Sequence, residues 1–256
     1  MNKLIVGLFS LFLSVGVLNA MNCSAGKCGG GGSKCANSSK GMGNPHGKKM
    51  NKNYRAVHPS KATLLQEGKN KMYCPICGMT LPKFYKTNHA SDDESGKTHQ
   101  YCSIVCKIED EVINGKKMSN HRVVDNTTLK FIDANKAYFV VGSKKPATMS
   151  AISKYAFGTK KAAKKFAMVN GGEIMNLDDL YKLVEKQLKK DLQATKKRQA
   201  KAARMGEKIY NKMCKKTELR FSKVAEAKSY LKTSGICGNI KGKKHQQVAL
   251  FLSGKK

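Results

Sequence analysis

A short turn with two cysteines, followed by a third cysteine downstream, constrains this chain more than any other feature. Cys74 and Cys77 are separated by two residues, Met79 comes two residues after them, and Cys102 follows. This spacing brings both sulfur atoms to one side of a tight turn, where they can hold one metal ion. The thioether of Met79 favours a soft metal, because Cu(I) accepts thiolate and thioether ligands alike. The sequence therefore predicts a Cu(I) site.

Cys106 leaves a second interpretation open. It lies one helical turn beyond Cys102 and could complete a four-cysteine set with Cys74 and Cys77. Such a set is typical of a structural Zn(II) site in a treble-clef-like scaffold, in which Met79 would be a core residue. The predicted metal is Cu(I), with Zn(II) as the alternative.

A third interpretation is a Cys-x-x-Cys thiol oxidoreductase. In thioredoxin-type enzymes the two cysteines begin a helix that lowers the thiol pKa, and Pro82 argues against a helix that continues from this pair. We therefore predict a binding protein and no enzyme. His99 is a candidate nitrogen ligand, and His89 and His121 are further alternatives.

The N-terminus predicts export to the periplasm. Lys3 precedes an apolar run from Leu4 to Leu18, and residues 1–20 have the pattern of a cleaved signal peptide. If cleavage failed, the same run would act as a membrane anchor. Residues 21–53 are rich in Gly, Ser, Asn and Lys without apolar periodicity, which predicts a flexible tail. The tail is either a simple tether, whose cysteines pair or stay free, or a second metal-collecting arm, because it contains residues that can bind soft metals: Cys23, Cys28, Cys35, Met42, His46 and Met50.

The charge is strongly positive, with 49 Lys and Arg against 17 Asp and Glu and a net charge of +32. Such a charge would ordinarily suggest nucleic acid as a partner. An exported protein rarely meets nucleic acid, and the chain lacks a basic motif interleaved with aromatic residues. We therefore expect no nucleic-acid partner and interpret the charge as solvated basic faces, an anionic membrane surface or an acidic protein partner.

The periodicity predicts an α+β fold with two ββαβ units in tandem, at about 71–125 and 126–176, within a metal-binding domain of residues 54–180. Alternating and helical patterns define the elements of the first unit. They are strands at Phe84–Tyr85 and Lys97–Tyr101, a helix at Ser103–Ile113 and a strand at His121–Asp125, and a short strand at Lys61–Glu67 is predicted in the segment that precedes this unit.

The second unit repeats this order. Its predicted elements are strands at Leu129–Asp133 and Ala137–Val141, a helix at Thr159–Val169 and a strand at Glu173–Met175. Met149 lies in its polar, proline-containing loop, either as a core residue or as a metal ligand.

The C-terminal part is predicted to be helical. A helix from Leu177 to about Met213 includes a basic connector at 181–205, and residues 206–256 form a small helical segment. The helices of that segment resemble those of small c-type cytochromes, but the heme attachment motif is missing. A disulfide between Cys214 and Cys237 is the most economical way to stabilise it.

An ordered series of motifs resembles the NosL family of nitrous oxide reductase accessory proteins. The resemblance spans residues 71–180, less than half of the chain. The motifs are Cys74-Pro-Ile-Cys-Gly-Met79, Tyr101-Cys102-Ser103, Phe131-Ile-Asp-Ala134, Tyr138-Phe-Val-Val-Gly-Ser143, Met149, Phe157, Ala163, Phe166 and Gly171-Gly172.

The resemblance implies two ββαβ units and an exported Cu(I)-binding protein that delivers copper for maturation of nitrous oxide reductase. The implied partners are that reductase and its membrane-bound maturation complex. Carried over by position, the implied ligands are Cys74, Cys77, Met79, Cys102 and Met149. Three features depart from the family pattern: there is no convincing lipid-attachment motif, Cys106 is additional, and the basic C-terminal residues have no counterpart in a minimal member.

Overall fold

Residues 54–254 are described by a computed structural model, in which two antiparallel sheets and five α-helices form an α+β fold. The α+β class predicted from the sequence is thus confirmed. The predicted signal peptide and cysteine-bearing tail lie outside the described residues. Within the described part, no helix is both long and apolar enough to cross a membrane. The elements are β1 (His89–Asp93), β2 (Thr98–Tyr101), α1 (Ile104–Val112), β3 (Met118–Val124), β4 (Phe131–Asp133), β5 (Tyr138–Val141), β6 (Lys154–Phe157), α2 (Lys160–Asn170), β7 (Glu173–Met175), α3 (Leu177–Met213), α4 (Val224–Ser234) and α5 (Gly242–Ser253).

The first sheet has the strand order β2-β1-β3-β4 and is antiparallel throughout. Its register places His89 opposite Tyr101 on one side and opposite Val123 on the other. Helix α1 follows β2 directly and buries Ile104 and Ile108, the apolar face that its periodicity predicts. The end of β2 and the start of α1 therefore meet at one edge of the core.

Two predicted strands near the first unit are wrong. Lys61–Glu67 forms no strand, because the backbone N–H groups of Thr63 and Leu65 donate to side chains, the hydroxyl of Tyr85 (3.1 Å) and Oε1 of Gln100 (2.8 Å). Phe84–Tyr85 belongs to a 3₁₀ helix, Leu81–Thr87. Pro82 lies in the first turn of this helix, where its missing N–H costs no hydrogen bond.

The second sheet has the order β6-β5-β7, so the second ββαβ unit consists of β5, β6, α2 and β7. The prediction that Leu129–Asp133 opens this unit is wrong, since β4 pairs with β3 in the first sheet. A 3₁₀ turn at Ala134–Lys136, in which the backbone N–H of Asn135 donates to the carboxylate of Asp133, directs the chain away from β4. Strand β6, which was not predicted, takes the place of Leu129–Asp133 as the other strand of the unit's ββ pair. All four of its residues are buried, so the sequence shows no alternation there.

The C-terminal part is built on helix α3, which runs without interruption from Leu177 to Met213. Asn176 caps its first turn by accepting a hydrogen bond from the backbone of Asp179 at 2.8 Å. Helices α4 and α5 pack together with the end of α3 around a second small core. A disulfide joins Cys214, just after α3, to Cys237, between α4 and α5.

Candidate metal centre

The cysteine turn is closed by its own backbone. Tyr73 and Thr80 form an antiparallel bridge, the N–H of Cys74 donates to the carbonyl oxygen of Met79, and the N–H of Gly78 donates to that of Cys74, both at 2.9 Å. Gly78 has φ of +69°, a conformation that residues with a Cβ adopt at a cost. Cys74 and Cys77 are therefore presented on one side of a rigid turn.

Two further cysteines come from the start of α1. Cys102 follows β2, and Cys106 lies one turn later on the same face of the helix. All four sulfur atoms of Cys74, Cys77, Cys102 and Cys106 lie within 4.8 Å of one another. The Cys77 to Cys102 sulfur separation is 3.4 Å and the Cys102 to Cys106 separation is 3.7 Å. Four thiolates around one metal at about 2.3 Å would be roughly 3.8 Å apart, so the cluster has the size of a metal site.

The thiols of the cluster also differ in the direction of their pKa shifts. Burial raises the pKa of Cys74, but hydrogen bonds from Cys102, Cys106 and Cys77 outweigh burial and bring this pKa well below its usual value. Burial raises the pKa of Cys102 well above the usual value, and the hydrogen bond with Cys102 does the same for Cys106. One thiolate supported by neighbouring S–H donors is a favourable starting state for binding a metal ion.

The two predicted methionine ligands lie beside the cluster. Met79 and Met149 line one cavity of about 400 Å³ together with Cys77. Met149 is buried and has φ of +62°, which is unusual for a residue other than glycine. The surrounding loop therefore holds the backbone of Met149 in a left-handed conformation next to the cavity.

The predicted histidine alternatives lie elsewhere. His99 forms a 2.6 Å contact with the carboxylate of Asp93, and His89 stacks on Phe139 with a ring separation of 6.1 Å. Burial lowers the pKa of His89 to about 3. His121 contacts the hydroxyl of Ser91 at 3.0 Å. Among residues 54–254, the four cysteines are the group of Cys, His, Asp or Glu side chains found close enough to hold a metal ion.

Two polar residues at this site were missed by the sequence reasoning. Lys228 of α4 donates to the carbonyl oxygen of Gly78 at 2.8 Å, and Gln246 of α5 donates to that of Cys77 at 3.0 Å. Burial lowers the pKa of Lys228 to about 7, while the sulfur of Cys77 acts in the opposite direction. Lys228 could have been found, since it occupies a position on the buried face of α4 that periodicity assigns to an apolar residue.

Fold and site together define a class: an α+β protein with a buried, all-sulfur candidate metal centre next to a methionine-lined cavity. Residues 66–184, just under half of the chain, match the family model of NosL, and we refer to this matched segment as the NosL-family domain. Among solved structures, the chain is similar to the copper chaperone NosL from Shewanella denitrificans, with 22% identity and a TM-score of 0.37, over 47% of this chain and 96% of that one. No curated protein matched the chain.

Proposed function

We propose that this chain is a Cu(I)-binding accessory protein that carries copper as cargo and has no catalytic turnover of its own. The observation that carries the proposal is the set of four buried thiols within 4.8 Å of one another, one of which borders a cavity with two methionines. Thiolates and thioethers are the ligands that Cu(I) prefers, and they bind Mg²⁺ and Ca²⁺ poorly. The NosL-family domain supports the same function.

The site is enclosed, because the four cysteines are at most 2% exposed. Cys77 is the cysteine that borders the cavity, and Met79 and Met149 line the same space. Copper would therefore enter and leave by ligand exchange, passing from the methionine sulfurs to Cys77 and then into the cluster. Each step replaces one soft ligand by another.

We propose nitrous oxide reductase as the destination of the copper, with a membrane-bound maturation complex as the docking partner and the periplasm as the compartment. The NosL-family domain supports this destination. An anionic membrane surface is a further partner that suits the net charge of +32.

A structural Zn(II) site is the second candidate. The sulfur separations of 3.4 and 3.7 Å are close to those of a tetrahedral four-thiolate site, which supports it. In that case Met79 and Met149 would be packing residues without a role as ligands. Zn(II) would remain bound at the four cysteines, and any copper would be exchanged at another site.

Competition with a chromophoric Cu(I) chelator tests the proposal. The cluster thiols should be reduced, and Cys23, Cys28 and Cys35 of the tail replaced by serine so that no cysteine of the tail competes for copper. We expect one Cu(I) per chain to be withheld from the chelator, and Cu(I) to displace any Zn(II) present. Retention of one Zn(II) with no competition for Cu(I) would favour the structural site.

A transfer assay tests the destination. Copper-loaded protein is mixed with copper-free nitrous oxide reductase, and the visible absorption of the reductase copper centres is followed. We expect faster loading than with the same concentration of Cu(I) held by the chelator. Equal rates would mean that this chain binds copper without delivering it to that acceptor.

A further inference from the structure

The cysteine turn is covered by residues from outside the NosL-family domain. That domain ends at residue 184, whereas helices α4 and α5 lie beyond it. Val224 of α4 packs so closely on Gly78 that a Cβ at Gly78 would come within 2.4 Å of its side chain. Lys228 and Gln246 bind the two carbonyl oxygens of Gly78 and Cys77. The C-terminal helices therefore form an outer layer of the metal centre.

Lys228 is held by a complete set of neutral partners. Its ammonium group donates to the carbonyl oxygen of Gly78 at 2.8 Å, to Oγ1 of Thr80 at 2.9 Å and to Oε1 of Gln246 at 3.1 Å. The same nitrogen lies 4.3 Å from the centre of the Tyr73 ring. Three acceptors match the three N–H donors of an ammonium group.

Lys228 nevertheless lacks a carboxylate partner. The side chain is buried, and none of the ion pairs formed among residues 54–254 includes it. A buried charge without a counter-charge is costly. The groups nearby that can become negative are the thiols of Cys77 and Cys74, which interact electrostatically with Lys228. A metal ion bound by thiolates would supply the missing anion, because Cu(I) with two thiolates has one net negative charge.

We infer that Lys228 and Gln246 are positioning residues of the metal centre: they hold the cysteine turn by its carbonyl oxygens, and the ammonium group of Lys228 balances the charge of the metal thiolate complex. This inference rests on the proposed metal binding at the four cysteines. On this inference, helices α4 and α5 increase the metal affinity of the cysteine cluster, and residues 66–184 without these helices would bind the metal more weakly.

Gln246→Glu gives the sharpest test. The new carboxylate can pair with Lys228 but cannot donate to the carbonyl oxygen of Cys77. We expect the metal-free protein to be at least as stable as the parent in urea unfolding, since a buried cation gains a partner. We expect its Cu(I) affinity in chelator competition to fall about 10- to 100-fold, the range found when outer-layer partners of metal ligands are removed. Gln193→Glu on the exposed side of α3 makes the same charge change and should leave the affinity unchanged.

Lys228→Met provides the second variant, with Lys232→Met on the exposed side of α4 as its control. Loss of the positive charge raises the energy of the thiolate electrons, so the ultraviolet thiolate-to-Cu(I) charge-transfer band should move to longer wavelength in Lys228→Met and stay in place in Lys232→Met. A role in folding alone would not move this band.

The outcomes separate the two claims. If the parent protein binds no metal at the cysteines, the proposed function fails. If the parent binds Cu(I), but Gln246→Glu and Lys228→Met bind it with parental affinity and an unmoved band, the inference about these residues is overturned and the proposed function stands. A loss of affinity that parallels a loss of metal-free stability in both variants would also overturn it, because the residues would then serve only the fold.

Discussion

Replacement of Gly206 by alanine tests how closely the C-terminal helices are packed. Gly206 lies within α3, where an exposed Gly→Ala change would stabilise the helix by about 1 kcal/mol. Here a Cβ would lie 1.9 Å from the carbonyl oxygen of Gln247 and 2.3 Å from its carbonyl carbon. Both atoms belong to the backbone of α5, so rotation of a side chain cannot relieve the contact.

The magnitude follows from these two opposing effects. Overpacking of a core costs about 1 to 3 kcal/mol, and the upper end applies because a whole helix must move. Subtracting the gain of about 1 kcal/mol in helix propensity leaves a net loss of about 2 kcal/mol. Since Gln246 lies next to the displaced residue, the Cu(I) affinity should also fall.

Urea unfolding followed by circular dichroism on metal-free protein measures the effect. Gly158→Ala is the matched control, because a Cβ there would lie 3.6 Å from the side chain of Ile132, an ordinary contact. The control should change stability by less than about 0.5 kcal/mol. A Gly206→Ala variant as stable as the parent, or more stable, would refute the close packing of α3 and α5.

Three further results are expected. Gly78→Ala, at φ of +69° and against Val224, should cost about 2 to 4 kcal/mol in urea unfolding, and Val224→Ala should recover part of this loss; an unchanged midpoint would argue against the contact. Burial lowers the pKa of His89 to about 3, so the unfolded chain takes up a proton near pH 6.5 that the folded chain does not, and stability should fall as the pH drops from about 6.5 towards 3, by at most about 1.4 kcal/mol per pH unit from this group. A parallel pH series on His89→Phe should give a shallower slope, and identical slopes would exclude this histidine as the cause. Replacing both Cys214 and Cys237 by serine should lower unfolding stability by about 3 kcal/mol, because the disulfide closes a loop of 23 residues; a loss below about 1 kcal/mol would show that the helices pack without it.

Much of the fold could be predicted because the relevant signals are local. The apolar periodicity of α1 and α3 and the short β7 gave elements within a few residues of those observed. Each of these elements contacts the core with one face, so its sequence repeats with the period of its backbone. The spacing of Cys74 and Cys77 likewise predicted a turn, since a turn is formed by residues that are close in the sequence.

Other parts depend on distant contacts that a linear pattern does not contain. Strand β6 has no solvent-facing side and therefore no alternation, and the partner of β4 is chosen by the direction of a three-residue turn. The place of Cys106 in the cluster depends on how α1 packs on the cysteine turn. Periodicity places Lys228 on the buried face of α4, but its contact with Gly78, 150 positions away in the sequence, is visible only in the folded chain.

Copper K-edge X-ray absorption on the Cu(I)-loaded protein, with Cys23, Cys28 and Cys35 replaced by serine, tests the central claim most directly. If the cluster of Cys74, Cys77, Cys102 and Cys106 is the copper site, the first shell should consist of sulfur alone, and replacing Cys74 and Cys77 by serine should remove that shell. A first shell of nitrogen or oxygen, or a sulfur shell that survives these replacements unchanged, would contradict the account.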